Sequence, residues 1–175
     1  MAGTRAASAT RVAGRGNIVG MPLLVVRHAR AGRRSAYAGD DRERPLSTRG
    51  RAQAEALVPL LSPFRPRRIL SSPAVRCFAT VRPLSEAIGV PIESVGELEE
   101  GHGPEALRVL ERMAGETAVL TTHGDVADEL LEVLAADRSP DVRRRLRLLK
   151  GEVWVVRSTG SDLEIVDHLH QEPRR

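Results

Sequence analysis

Leu23-Leu24-Val25-Val26-Arg27-His28-Ala29 and Ala118-Val119-Leu120-Thr121-Thr122-His123-Gly124-Asp125 decide how this chain folds. Each is an apolar, β-rich run that stops at a histidine. A strand of a parallel sheet covered on both faces has this look, and ligands of such sheets sit at the carboxyl ends of the strands. If the two strands are neighbours, His28 and His123 emerge side by side at the mouth of the sheet. Arg27, and Arg76 just past Ser71-Ser72-Pro73, can add positive charge there. Two histidines and two arginines around one point describe a phosphate site with a nucleophile inside it.

Working outward, the spacing predicts a helix from about Ser47 to Leu61, with Ala54, Leu57 and Leu61 as its apolar stripe. Pro59 is expected to bend or shorten it. Arg68 to Ser72 reads as the next strand, followed by a helix over 74–88 that Gly89 stops. A short strand from Ile92 to Val95, a helix from Pro104 to Ala114, the strand ending at Thr122 and a helix from Val126 to Ala135 come next. Glu152 to Arg157 and Leu163 to His168 alternate around Ser158-Thr159-Gly160-Ser161 and predict a hairpin. Strands separated by helices give the expected fold class. It is α/β, an open, mostly parallel sheet with helices on both faces and a C-terminal edge hairpin.

Composition sets the bounds. A chain of 175 residues is most simply one domain, expected over 21–175, and at this size can bury roughly 70% of its unfolded surface. Residues 1–20 have neither periodicity nor an acidic residue. They read as a disordered leader or as sequence upstream of a start at Met21. The single cysteine, Cys77, rules out an intrachain disulfide framework and points to a reducing, cytoplasmic compartment. No apolar run approaches the ~20 residues of a membrane span.

The net charge is +4, but Lys150 is the only lysine among 27 basic residues. That is a general arginine bias rather than a clustered patch. Tyr37, Phe64, Phe78 and Trp154 are too few to build a stacking platform. Neither nucleic acid nor a membrane is an expected partner.

The residue types suggest their chemistry. A neutral imidazole attacks phosphorus, and the resulting phosphohistidine is labile enough to be hydrolysed, which makes His28 the candidate nucleophile. Arg27 and Arg76 can hold phosphate oxygens through bidentate, charge-assisted contacts. His123 can donate to the same oxygens and stabilise charge as the phosphoryl group moves. Gly124 lets the backbone approach closely. Thr122 and Asp125 are expected to orient neighbours or cap a helix, and Ser71 and Ser72 to cap the helix that carries Arg76.

Other chemistries fit less well. Two arginines would repel a divalent cation, and neither an H-x-x-x-H pair nor a cysteine cluster is present, so no metal is expected. Cys77 and Arg82 lack the spacing and glycines of a cysteine phosphatase loop, and a G-x-x-x-x-G-K-[ST] loop is absent. His168 and His170 share a strand face and read as solvated tail residues.

Arg27-His28-Ala29 resembles the Arg-His-Gly signature of the histidine phosphatase superfamily, with alanine where glycine is usual. Arg44-Pro45-Leu46-Ser47-x-x-Gly50, Ser71-Ser72-Pro73-x-x-Arg76-x-x-x-Thr80 and Thr122-His123-Gly124-Asp125 are similar to its later blocks, in the same order, over residues 23 to about 130. Lys150-Gly151-Glu152-Val153-Trp154 resembles the closing strand of its small bacterial phosphohistidine-phosphatase branch. It is also similar to the phosphatase domain that follows Nudix domains.

The resemblance implies a phosphoglycerate mutase-like fold, His28 as the phosphorylated residue, and Arg27, Arg76 and His123 as the phosphate pocket. It implies no metal and no other cofactor. Arg30 stands where many members have a small or polar pocket residue.

Breaking a phosphomonoester needs a proton for the leaving oxygen. The family commonly takes it from a carboxyl in the loop before the second histidine strand, here Gly96-Glu97-Leu98-Glu99-Glu100-Gly101-His102-Gly103. Register with the family's Leu-x-Glu pattern selects Glu100, with Glu97 and Glu99 as the alternatives.

The expected function is therefore a metal-independent phosphatase working through phospho-His28 on a phosphorylated protein or a nucleotide. The alternative is a phosphate- or phosphoprotein-binding module of the same fold without catalysis. No insertion between the helix ending at Ile88 and the loop starting at Gly96 is long enough for a cap. The polar loop 30–45 reads as a mobile rim.

Overall fold

The computed structural model describes residues 21–159 and 162–171, so the expectation for residues 1–20 lies outside the described residues. Among the described residues there are six strands and five helices, and all but the fifth helix follow the expected order. They are β1 (Leu23–Arg27), α1 (Thr48–Leu61), β2 (Arg68–Ser71), α2 (Val75–Ile88), β3 (Ile92–Ser94), α3 (Gly103–Arg112), β4 (Ala118–Thr122), α4 (Gly124–Leu134), α5 (Pro140–Leu146), β5 (Val153–Thr159) and β6 (Asp162–Leu169). The sheet runs β3-β2-β4-β1-β5-β6. The first four strands are parallel, and β5 and β6 close the edge as an antiparallel hairpin.

The continuous apolar strands are explained by what covers them. Leu24 and Val26 face one way, into a cluster with Leu57 and Leu61 of α1 and Val81 and Leu84 of α2. Leu23 and Val25 face the other way, packed with Val109 and Leu110 of α3 and Leu130 of α4. Each fully buried side chain of this kind contributes about 1.5–3 kcal/mol, so neither face tolerates a polar residue. Leu23 lies opposite Ala118 and Arg27 opposite Thr122, so β1 and β4 end at the same level. That register brings the two terminal histidines together. Among the described residues, no helix is long and apolar enough to cross a membrane.

Three local expectations are corrected. Pro59 does not shorten α1, which runs on to Leu61. Leu57 and Leu61 are wholly buried there, and their burial outweighs the backbone hydrogen bond that proline removes. Helix α5 was not expected, because it buries no residue and so shows no apolar period. Its start is legible: Ser139 accepts a hydrogen bond from the Val142 N–H, and Pro140 occupies the first turn. Loop 30–45, expected as a mobile rim, is folded into two 3-10 turns (Arg34–Ala36 and Asp41–Glu43) and a bridge between Ala31 and Leu46. Buried Arg44 pins it by donating to Asp41 Oδ1 (2.8 Å) and to the Gly32 carbonyl (2.6 Å).

Candidate active site

His28 leaves the end of β1 with its backbone N–H on the Thr122 carbonyl, 2.9 Å away. Its Nδ1 lies 2.8 Å from the Ala29 carbonyl. A carbonyl only accepts, so Nδ1 carries the proton and Nε2 keeps its lone pair. Burial, opposed by this hydrogen bond and reinforced by His123, Arg76 and Arg27, pushes the His28 pKa down to about 3. The group is therefore a neutral imidazole in one tautomer. Thr80 sets the turn: its hydroxyl accepts from the Ala29 N–H (2.9 Å) and donates to the Arg76 carbonyl (2.7 Å).

His123 follows β4, and its ring centroid lies 5.4 Å from that of His28, edge to face. Arg76 donates to its Nδ1 at 3.2 Å, so Nε2 bears the proton and donates to Ser72 Oγ at 2.8 Å. Burial first, and Arg76 second, hold its pKa below the ordinary histidine value against Glu100, Asp125 and Asp41. Both rings should therefore stay neutral well into acid. Nitrogen NMR at pH 5 should show two of the five histidines as unprotonated single tautomers, where ordinary ones are already charged. Titration of either His28 or His123 near 6.5 would contradict the geometry.

The arginines are placed with equal care. Arg27 donates to the Leu148 carbonyl at 3.0 Å. A Cβ on residue 124 would run into the Arg27 guanidinium, so Gly124 is required by that side chain. Arg76, 1% exposed, donates to the Asp41 carbonyl (2.6 Å) and to Glu100 Oε1 (2.8 Å), with Asp41 Oδ2 at 3.3 Å. The Arg44 hydrogen bond, then Arg76, holds the Asp41 carboxyl below the usual range. Nε of Arg27 and Nε of Arg76 are buried without a hydrogen-bond partner. Orphaned buried donors on two cations are what an anion site shows before its ligand arrives.

The structure separates the three glutamates. Glu97 pairs with Arg112 (3.1 Å) and Glu99 with Arg42 (2.9 Å). Glu100 alone reaches the histidines, with Oε1 at 3.4 Å from His123 Nδ1. Its loop is held by Asp125, which accepts from the Gly101 N–H (2.7 Å), and by Thr122, whose hydroxyl donates to the Leu98 carbonyl (2.8 Å). Thr122 and Asp125 thus orient neighbours, as expected.

Ser71 and Ser72 do not cap α2, which starts at Val75 after Ala74 without a side-chain cap; Ser72 Oγ only meets the Ala74 N–H, at 3.4 Å. Ser71 bonds the Ser72 carbonyl and Ser72 serves His123. Asp41 was read only as part of the rim and had no local signal, because its partner lies 35 residues away. Thr80 stood in a quoted motif, one helical turn beyond Arg76, and that spacing could have revealed it.

A family model described as the histidine phosphatase superfamily (branch 1) matches residues 23–106. The 8-oxo-(d)GTP phosphatase of Mycolicibacterium smegmatis is 38% identical over 154 residues, covering 84% of this chain and 47% of that protein. Residues 23–106 of this chain belong to the histidine phosphatase superfamily. The chain spans about half the length of that curated relative. The SixA protein of Agrobacterium tumefaciens has the same fold, with a TM-score of 0.69 at 23% identity over 86% of this chain and 98% of that one. So has the protein histidine phosphatase SixA complexed with tungstate, with a TM-score of 0.70 at 20% identity over 85% and 96% of the two chains.

Cys77 lies 3.4 Å from His123 Nε2, and burial pushes its thiol up to about 12. It is no thiolate nucleophile. His168 and His170 are not solvated tail residues. His168 bonds Glu152 at 2.9 Å, and with His170 they form the one group of potential metal ligands among the described residues, with ligand atoms within 4.8 Å of one another. This group lies on the hairpin side and includes neither His28 nor His123. Glu152 Oε2 is already engaged by His168 and by the Leu149 N–H.

Proposed function

We propose that the chain is a metal-independent phosphatase that forms a covalent phospho-His28 intermediate. The observation that carries this reading is His28, fixed by Ala29 as an Nδ1–H tautomer and set beside His123, with buried Arg76 and half-buried Arg27 near enough to lower its pKa. In the first step the Nε2 lone pair forms the N–P bond as the bond to the leaving oxygen breaks. In the second, water attacks phosphorus, the P–N bond breaks, and His28 regains its lone pair. Arg27 and Arg76 stabilise the oxygens of the moving phosphoryl group. His123 is neutral in the empty site, and a phosphate dianion beside it raises its pKa, so ligand binding turns it into a charged donor. The same arginines supply fixed charge where a dication would have to sit, which supports chemistry without a metal.

Glu100 is the proposed acid, protonating the leaving oxygen and taking the proton back from water. Its Oε1 is held by Arg76 at 2.8 Å, a contact that competes with its reaching a leaving oxygen. This one observation favours the alternative, a binding module without turnover. Phosphate release from p-nitrophenyl phosphate in EDTA decides between them, since a binder releases none.

With no cap between Ile88 and Gly96, the site suits phosphate on a protein histidine or on a nucleotide, in a reducing, cytoplasmic setting. A phosphoramidate leaves more readily than an alkoxide. Glu100→Gln should therefore slow phosphomonoester hydrolysis at least tenfold more than phosphohistidine hydrolysis. Equal losses on both substrates would remove Glu100 as the acid.

A further inference from the structure

Next to Arg27 the surface opens into a cleft of about 450 Å³, lined by neither Arg76 nor Glu100. Arg27, Arg30, Arg49 and Lys150 line it, and its one acidic residue, Glu152, is engaged by His168 and the Leu149 N–H. Among the described residues, neither Arg30 nor Lys150 takes part in an ion pair with a carboxylate. Arg30 and Lys150 therefore add positive charge to the space that Arg27 faces.

The cleft is built rather than incidental. Gln53 of α1 accepts from the Arg30 N–H and donates to the Lys150 carbonyl, each at 2.9 Å. Gly151, in the left-handed region at φ +81°, donates its N–H to the Arg27 carbonyl at 3.0 Å. Gln171 donates to the Gln53 carbonyl at 2.7 Å. The turn carrying Lys150 is thus tied to α1 and to the strand that delivers His28. Burial and then Arg27, Arg44, Arg30 and Arg76 lower the Lys150 pKa, the like-charge stress that a bound anion relieves.

We propose that this cleft is a second anion subsite, which receives the adjoining phosphate of a nucleoside di- or triphosphate while the terminal phosphoryl group lies at His28. The inference rests on the phospho-His28 reading and names its substrate class. Arg27 joins the two sites, its backbone held by the Lys150 turn and its side chain beside Gly124, which follows His123.

The chemistry also fits the tied-up Glu100. The terminal phosphorus bonds to His28 Nε2 as its bond to the bridging oxygen breaks, and the shortened nucleotide leaves as a phosphate anion. Such a leaving group needs no proton, and Lys150 and Arg30 stabilise its charge. Water then releases orthophosphate from His28.

The test compares wild type, Lys150→Ala and Lys150→Arg in EDTA on guanosine diphosphate, guanosine monophosphate and p-nitrophenyl phosphate. Wild type should favour the diphosphate over the monophosphate by at least tenfold in kcat/KM. Lys150→Ala should erase that preference, lowering kcat/KM on the diphosphate at least tenfold more than on the monophosphate, and be largely rescued by Lys150→Arg. Calorimetry with methylenediphosphonate against methylphosphonate, neither of which turns over, reads the subsite without catalysis. The bisphosphonate should bind at least tenfold more tightly to wild type and lose that advantage in Lys150→Ala. Equal affinity for both phosphonates, or equal losses on mono- and diphosphates, would overturn the subsite and leave the phospho-His28 mechanism standing. Absence of all turnover, with the bisphosphonate preference intact, would overturn the mechanism and leave the subsite.

Discussion

His28→Ala should abolish turnover, by ~10⁴-fold or more, because the proposed mechanism passes through a bond to this one nitrogen. His123, the other imidazole in the site, has both nitrogens occupied by Arg76 and Ser72 and cannot substitute for it. Cys77 cannot either, since its thiol stays protonated up to about 12. Quenching wild type during turnover should trap a phosphoryl group that is stable in alkali, labile in acid and located on His28. A buried imidazole with a depressed pKa destabilises the fold only as pH falls below its unfolded value near 6.5, where the unfolded chain takes up the proton first. At neutral pH the variant should therefore melt close to wild type, separating lost chemistry from lost structure. An active variant, or an acid-stable phosphoserine in the trapped enzyme, would overturn the covalent mechanism.

The second large effect separates a built site from the arginine background. Arg76→Ala should reduce kcat/KM by on the order of 10² or more, since it removes oxygen contacts that tighten in the transition state. It also takes the buried guanidinium from between Asp41 and Glu100, leaving exposed Arg34 as the cation they share. Arg76→Lys keeps a charge but not the planar fork, and should recover only part of the loss. Arg27→Ala should fall in the same range. Arg143→Ala and Arg144→Ala remove only surface pairs with Glu132 and Asp141, contacts worth about 0–1 kcal/mol, and should leave kcat/KM within twofold. Equal losses at both pairs would mean that diffuse positive charge, rather than the pocket, recruits the substrate.

Much of this was legible in the sequence, and the residues show why. The strands ending at His28 and His123 are apolar throughout because each is covered on both faces, and that condition writes itself into consecutive positions. Ser47, Gly89 and the hairpin turn mark boundaries through local backbone chemistry, which a short stretch reveals. Helix α5 and the fold of loop 30–45 escaped because they bury little apolar surface and leave no period to detect.

The sequence by itself determined the alternation of strands and helices, the histidine at the end of each of two apolar strands, and the family resemblance. All of these follow from local patterning and motif order. Only the tertiary structure decided which glutamate reaches His123, because Glu97, Glu99 and Glu100 are chemically alike and differ in where one short loop is tied down. It likewise decided that Asp41 holds Arg76, that Ser72 serves His123 rather than a helix end, and that Lys150 shares a cleft with Arg27. Those pairs lie tens of residues apart along the chain. Their energies depend on distance and burial through space, which no local pattern of residues encodes.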